Sequence, residues 1–386
     1  MAEGSDKART QGGLKSEFPA SPPESGTIAN ANERADLVDL DADGPGPDAD
    51  FLAGELRKRV VGQDEAVEQV AAFYQQSQAG LSPPDRPVGS FLFLGPTGSG
   101  KTRTVEALAE VLAKNPRAVI KIDCGEFQHS HEIAKLIGSP PGYLGHRETR
   151  PLLSQEVLNQ YHTDKLKLSF VLFDEIEKAS DSLWNLLLGI LDKANLTLGD
   201  NRRVDFSRAM IFMTSNLGAE EMKNLVKKKI GFYQESFSPE QLAQKMETSA
   251  VAAARRKFTP EFMNRIDKTI VFKPLGNDEL RKILDIELDY VQQRIDTSGK
   301  QVSVSVTSGA KDQILREAAP DIKYGARELK RVVEQQVTKK LGGLIAKNLL
   351  DRGDAVTIDY KDGRFTFSKP QYPGFSAQNR PLAAPG

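Results

Sequence analysis

One cysteine, Cys124, stands in 386 residues, with only four histidines beside it. A single thiol cannot close an internal disulfide, and so few scattered histidines offer little material for a metal cluster. Redox and multi-histidine metal chemistry are therefore set aside. Cys124, in KIDCGEF, follows an apolar run and reads as a small buried side chain. His129 and His131, in QHSHE, have no third ligand group near them in sequence and read as part of a surface loop. No apolar run approaches the roughly 18 residues that a membrane span needs, and the amino terminus lacks the apolar stretch of a secretory signal. The expectation is a soluble, cytoplasmic protein with no membrane partner.

Net charge is also scarce, at −1. That value hides an asymmetry, because residues 1–50 hold eleven acidic and four basic side chains, a net −7 that leaves +6 for the rest. Neither value calls for nucleic acid, and no helix-turn-helix, aromatic-basic strand pattern or long basic stripe accompanies them. The first fifty residues are nearly free of aromatics and rich in Gly, Pro, Ser and Asp (SPPESG, DLDADGPGPDAD). They cannot bury enough apolar surface to offset their ordering entropy, so a disordered acidic tail is expected over 1–50. Residues 370–386 have the same texture.

Between these ends, the 39% hydrophobic content is sufficient for real cores. A helical pattern begins at Phe51, breaks at VVGQ and resumes through DEAVEQVAAFYQQSQ, with Asp64 as the expected N-cap. Five short runs follow, SFLFL, AVIKID, KLSFVLFDE, AMIFMTSN and KTIVF, mostly alternating with helical stretches. Strands buried on both faces read this way, which predicts an α/β fold with a parallel five-stranded sheet covered by helices over 51–274. Past LGNDEL the texture changes to helices at 277–297, 309–318 and 326–348 and strand-like pieces at QVSVSV, AVTIDY and RFTFS. A small α+β domain is expected over 275–369.

The chemistry is concentrated in two motifs. GPTGSGKT, from Gly95 through Pro96, Thr97, Gly98, Ser99, Gly100 and Lys101 to Thr102, lies after a strand and before a helix, where a phosphate-binding loop works. Glycines let the backbone wrap a phosphate, successive N–H groups supply positive potential, Lys101 reaches the β and γ phosphates, and the Thr102 hydroxyl suits Mg²⁺. VLFDEIEK ends an apolar strand in paired carboxylates, where an open α/β sheet presents ligand-binding groups. Asp174 is expected to hold Mg²⁺ and Glu175 to polarise the attacking water. ATP and Mg²⁺ are the expected substrate and ion.

With these motifs in place, the chain resembles the carboxy-terminal ATPase module of the Clp family of AAA+ protein unfoldases and disaggregases. The resemblance covers about residues 52–368 and runs in order through RVVGQDEAV, SFLFLGPTGSGKT, LIGSPPGYLG, VLFDEIEKA, VDF, MTSNLG, FTPEFMNRID and YGARELKR. It implies an AAA+ P-loop NTPase followed by a Clp-type lid domain, here as a single-module protein. It also implies that Asn216 is the sensor that orients the hydrolytic water, that Arg265 is an arginine finger reaching the neighbouring subunit's nucleotide, and that Arg327 is a second sensor. Val60 and Val61 resemble the segment that lies against adenine. A finger supplied in trans requires a closed ring, and the family implies a homo-hexamer.

Further implications concern partners. Tyr143, followed by Leu144 between glycines in GSPPGYLGH, occupies the position of an aromatic that faces the ring's channel and grips a polypeptide. HRETRP replaces the acidic and Gly-rich residues that usually follow it, and NLTLGDNRRVDF resembles a second channel-facing segment. Ile230, Gly231 and Phe232, in KKKIGFYQ, fit a tripeptide with which some relatives dock a Clp-type peptidase; apolar residues folding back on the domain are the alternative. The function implied is an ATP-driven motor that threads and unfolds protein chains. An ATP switch that remodels or scaffolds a partner without translocating it is the alternative.

Overall fold

A computed structural model describes residues 46–139, 150–230, 238–318 and 325–370. The first helix starts at Pro47, inside the stretch read from composition as a tail, and runs to Arg57. Proline at the first helical positions and Asp48 and Asp50 in the first turn favour that start, and Ala49 and Leu52 bury its inner face. The next helix, Asp64–Gln78, differs from expectation at its cap. Gln63, not Asp64, holds the N-cap position and makes no side-chain cap there; its amide is committed elsewhere, as described below.

Five strands, β1 (Gly89–Leu94), β2 (Val119–Asp123), β3 (Ser169–Asp174), β6 (Ala209–Ser215) and β7 (Lys268–Val271), form one parallel sheet in the order β2-β3-β6-β1-β7. β1 and β6 are buried at every position, and β3 at all but its last. Alternate residues feed two cores, as the period of two demands. Leu92, Leu94, Val171, Phe173, Ile211 and Met213 join one core with the helix Asp181–Lys193 and part of Pro239–Lys257. Phe91, Phe93, Phe170, Leu172, Met210 and Phe212 join the other with the helices Pro47–Arg57, Asp64–Gln78 and Lys101–Leu112. Within that second core Phe91 stacks on Phe212 at 5.1 Å between ring centroids.

The segment NLTLGDNRRVDF, residues 195–206, forms a hairpin of β4 (Asn195–Thr197) and β5 (Arg203–Asp205). Leu196 and Val204 alternate inward and bury, a period too short to stand out in sequence. The hairpin's tip is anchored by the Gly199 N–H donating to Ile137 O at 2.8 Å.

A third core belongs to the last part of the chain. Helices Asn277–Thr297, Ser308–Ala318 and Ala326–Val333 pack there, the last continuing through a π-helical step to Ala346. They cover a sheet of β8 (Ser303–Val306), β9 (Ala355–Lys361) and β10 (Arg364–Ser368), ordered β10-β9-β8, with β9 parallel to β8 and antiparallel to β10. Among the described residues no helix is long and apolar enough to cross a membrane.

Candidate active site

The sheet order decides what meets what. β1, β6 and β3 are neighbours and all parallel, so their carboxyl ends deliver the phosphate loop, Asn216 and Asp174–Glu175 to one edge. The loop leaves β1 at Gly95, whose φ of +142° and approach to Phe272 exclude a side chain: a Cβ there would stand 2.5 Å from Phe272 O. Gly98 and Gly100 also have positive φ, and Gly100 caps the helix Lys101–Leu112.

Lys101 is 7% exposed. Its ammonium donates to Gly95 O (2.7 Å), Pro96 O (3.0 Å) and Asn216 Oδ1 (3.0 Å). Burial lowers its pKa to about 8, with the nearby Arg327 charge in the same direction and Glu177, Asp174 and Glu175 opposing. Asn216 also accepts from the Thr97 hydroxyl (3.3 Å), and its Nδ2 donates to Glu175 Oε1 (3.4 Å). One amide thus joins the lysine of the loop to the carboxylate of β3 through its two different ends.

The Thr102 hydroxyl lies 3.4 Å from Asp174 Oδ1. Thr214, on β6, donates its hydroxyl to Asp174 and accepts from the Glu175 N–H at 3.1 Å. Glu175 adopts φ +58°, ψ +47°, a conformation unusual for a residue with a side chain, and pairs with Lys178. Glu177 Oε1 accepts from the Asn216 N–H (3.1 Å), while its Oε2 is buried without a partner among the described residues.

Thr97–Thr102, Asp174, Glu175 and Asn216 line a cavity of about 390 Å³, together with Val60, Val61, Arg59, Arg103 and, from the small domain, Leu275, Ile283, Ile286, Tyr290 and Arg327. Val60 is buried and Val61 partly so. The small domain touches the phosphate loop directly: Ala326 N–H donates to Gly98 O (3.0 Å), and a Cβ on Gly325 would stand 2.5 Å from the same oxygen. Arg103 donates to Glu110 (3.0 Å) and to the Tyr290 hydroxyl, and its guanidinium lies 5.4 Å from the Tyr290 ring centroid.

Of the residues singled out in the sequence, Gly95–Thr102, Asp174, Glu175, Asn216 and Arg327 come together around this cavity, flanked by Val60 and Val61. Arg265 does not line it. It caps the helix Pro260–Asn264, and its Nη1 pairs with Asp192 Oδ1 at 2.9 Å. Asp267 holds that segment to β1, accepting from the Ser90 N–H (2.8 Å) and hydroxyl (2.7 Å). Tyr143 and Leu144 lie outside the described residues. Ile230 ends the helix Ala219–Ile230, and Gly231 and Phe232 lie outside the described residues. Sequence reasoning missed Thr214, Glu177 and Gln63. Thr214 lies two residues before Asn216 and Glu177 two after Glu175, while Gln63 stands in RVVGQDEAV beside Val60 and Val61 with nothing local to single it out.

An oxygen donor set of hydroxyl and carboxylate, with a lysine beside it and glycine backbone wrapping the same space, fits a magnesium-nucleotide. Comparison with known proteins supports a nucleotide site. A family model described as AAA domain (Cdc48 subfamily) matches residues 86–269, and one described as the C-terminal, D2-small domain of ClpB protein matches 275–358. The chaperone protein ClpB of Rhodopirellula baltica is 39% identical over 313 residues, which are 81% of this chain and 33% of that protein. The ATP-dependent Clp protease ATP-binding subunit ClpC of Staphylococcus saprophyticus is 38% identical over 82% of this chain and 37% of its own length. A closed-state structure of Hsp104 with ATPγS and FITC casein superposes with a TM-score of 0.68 at 32% identity, covering 83% of this chain and 51% of that one. The chain spans about a third of the length of the curated relatives it matches.

Proposed function

Because this chain belongs to the AAA+ ATPases and is homologous to the carboxy-terminal module of ClpB and ClpC, we propose that it hydrolyses ATP to unfold or disaggregate protein chains. The observation that carries this reading is the hydrogen-bonded line Lys101–Asn216–Glu175, closed within one cavity by the phosphate loop and by Arg327 of the small domain.

In this reading the loop Gly95–Thr102 wraps the phosphates and Lys101 neutralises them, exchanging carbonyl partners for phosphate oxygens. Thr102 and Asp174 would hold Mg²⁺, which supplies charge neutralisation at the β and γ phosphates when bound. Glu175 polarises the attacking water, and Asn216, already bonded to it, orients that water. Glu177 holds the Asn216 backbone and Thr214 holds the peptide between Asp174 and Glu175, so both act by positioning. Val60 and Val61 pack against adenine. Arg327 reaches the nucleotide from the small domain of its own chain.

Arg265 has no place at its own chain's cavity and serves the neighbouring copy's, so the active site is completed by a ring, a homo-hexamer. Tyr143 and Leu144 lie on the segment that grips a polypeptide in the ring's channel. The relatives, a chaperone and an Hsp104 solved with FITC casein, support a protein substrate. The name of the ClpC relative supports a Clp-type peptidase docked through Ile230, Gly231 and Phe232.

Assay of ATP turnover and of unfolding of a tagged fluorescent protein by the same preparation tests the reading. The expected result is turnover stimulated by unfolded protein, with loss of the substrate's fluorescence. Turnover indifferent to any unfolded protein, with no unfolding, would replace the motor with an ATP switch.

A further inference from the structure

Two consecutive carbonyls of the phosphate loop are held from outside the loop. Gly98 O accepts from the Ala326 N–H of the small domain at 3.0 Å. Ser99 O accepts from the side chain of Gln63, also at 3.0 Å. The same amide nitrogen donates to Lys273 O (2.9 Å), and the amide oxygen accepts from the Lys273 N–H (3.1 Å). Lys273 follows β7 and precedes Pro274, Leu275 and Gly276, the run that leads into the small-domain helix starting at Asn277. Gln63 is 5% exposed and has spent both hydrogens and its oxygen on these three backbone groups.

A trans peptide points its C=O and its following N–H in opposite directions. Holding Ser99 O on the Gln63 side therefore aims the Gly100 N–H at the other face of the loop, and it is N–H groups that meet phosphate in such loops. The Ser99 hydroxyl is buried with no partner among the described residues, so it does not share the task. We propose that Gln63 is a positioning residue of the ATPase: it sets the 99–100 peptide of the phosphate loop and transmits the loop's state to the Lys273–Gly276 connection. This rests on the loop being an ATP site. A group that bridges both segments ties nucleotide contact to the placement of the small domain, in parallel with the Ala326 contact one residue earlier.

Gln63→Glu keeps the shape and the acceptor for the Lys273 N–H but removes both donors. The expected result is a KM for ATP raised about tenfold with kcat within threefold of wild type, together with a nucleotide-free melting temperature lowered by a few degrees, because two buried carbonyls lose their donor. In the wild-type chain, hydrogen exchange at the Lys273 amide should slow when a non-hydrolysable ATP analogue binds, and this slowing should vanish in Gln63→Glu. Unchanged KM in a folded variant, or a drop in melting temperature with KM unmoved, would reduce Gln63 to a structural bolt and overturn the proposal. If the variant does not fold, the wild-type exchange decides: protection of the loop amides by the analogue with none at Lys273 overturns it. A wild-type chain that binds no ATP would instead remove the reading of the site, and this proposal with it.

Discussion

Arg265 and Asp192 form an ion pair, Nη1 to Oδ1 at 2.9 Å, between the cap of the helix Pro260–Asn264 and the last turn of the helix Asp181–Lys193. Each side chain is about a third exposed (34% and 33%), so the pair contributes at most about 1 kcal/mol to the fold. Arg265 is therefore free to leave Asp192 for a phosphate at small cost. Arg265→Ala should leave the melting temperature nearly unchanged and nucleotide binding intact, while kcat falls by roughly 10³-fold or more, the range for a lost arginine finger. Thermal melting, analogue binding and steady-state turnover check this together.

Glu175→Gln preserves the Asn216 contact through its amide oxygen but removes the carboxylate proposed to polarise water. The expected outcome is ATP bound at wild-type affinity with turnover below about 1% of wild type. Asn216→Ala should lose about 10²-fold in kcat, since one preorganised polar group at a reacting centre is worth that much. Binding of a fluorescent nucleotide alongside turnover separates the two effects.

Lys101 gives a pH dependence of definite sign. With its pKa lowered by burial to about 8, the nucleotide-free folded protein holds fewer protons than the unfolded chain between pH 8 and the ordinary lysine value of 10.5. Stability rises with pH wherever the unfolded state binds more protons, so the cost of burying this ammonium is constant below that window and is relieved across it. The melting temperature of the wild type should therefore gain on that of Lys101→Met as pH goes from 7.5 to 9.5. A difference that is flat with pH would contradict the burial of a charged ammonium there.

Tyr143→Ala should retain wild-type ATP turnover and lose unfolding of a tagged substrate by an order of magnitude or more. In the proposed reading its ring would supply the grip and take no part in hydrolysis. Equal unfolding by the variant would remove threading by this segment.

Much of this was legible in the sequence because it is local. The apolar runs ending in Gly95, Asp174 and Asn216 declare buried parallel strands, and the chemistry sits at their ends. What could not be read is whatever depends on distant backbone. Gln63 and Lys273 are 210 positions apart, and a glutamine that pairs with a peptide leaves no pattern around itself. The same glutamine explains the misplaced cap: Asp64 looked like the better cap, but Gln63 was held in place by tertiary contacts. The hairpin β4–β5 was hidden because each strand is three residues long and contributes a single buried side chain.

Mixing two disabled variants tests the central claim, that one copy's Arg265 completes its neighbour's ATP site. Arg265→Ala and Glu175→Gln each lack turnover alone, but an interface that pairs Glu175 of the first with Arg265 of the second is whole. Turnover that recovers when the two purified variants are combined, and follows their ratio, is the predicted result. A mixture as inactive as its components, or full activity in Arg265→Ala by itself, would contradict it.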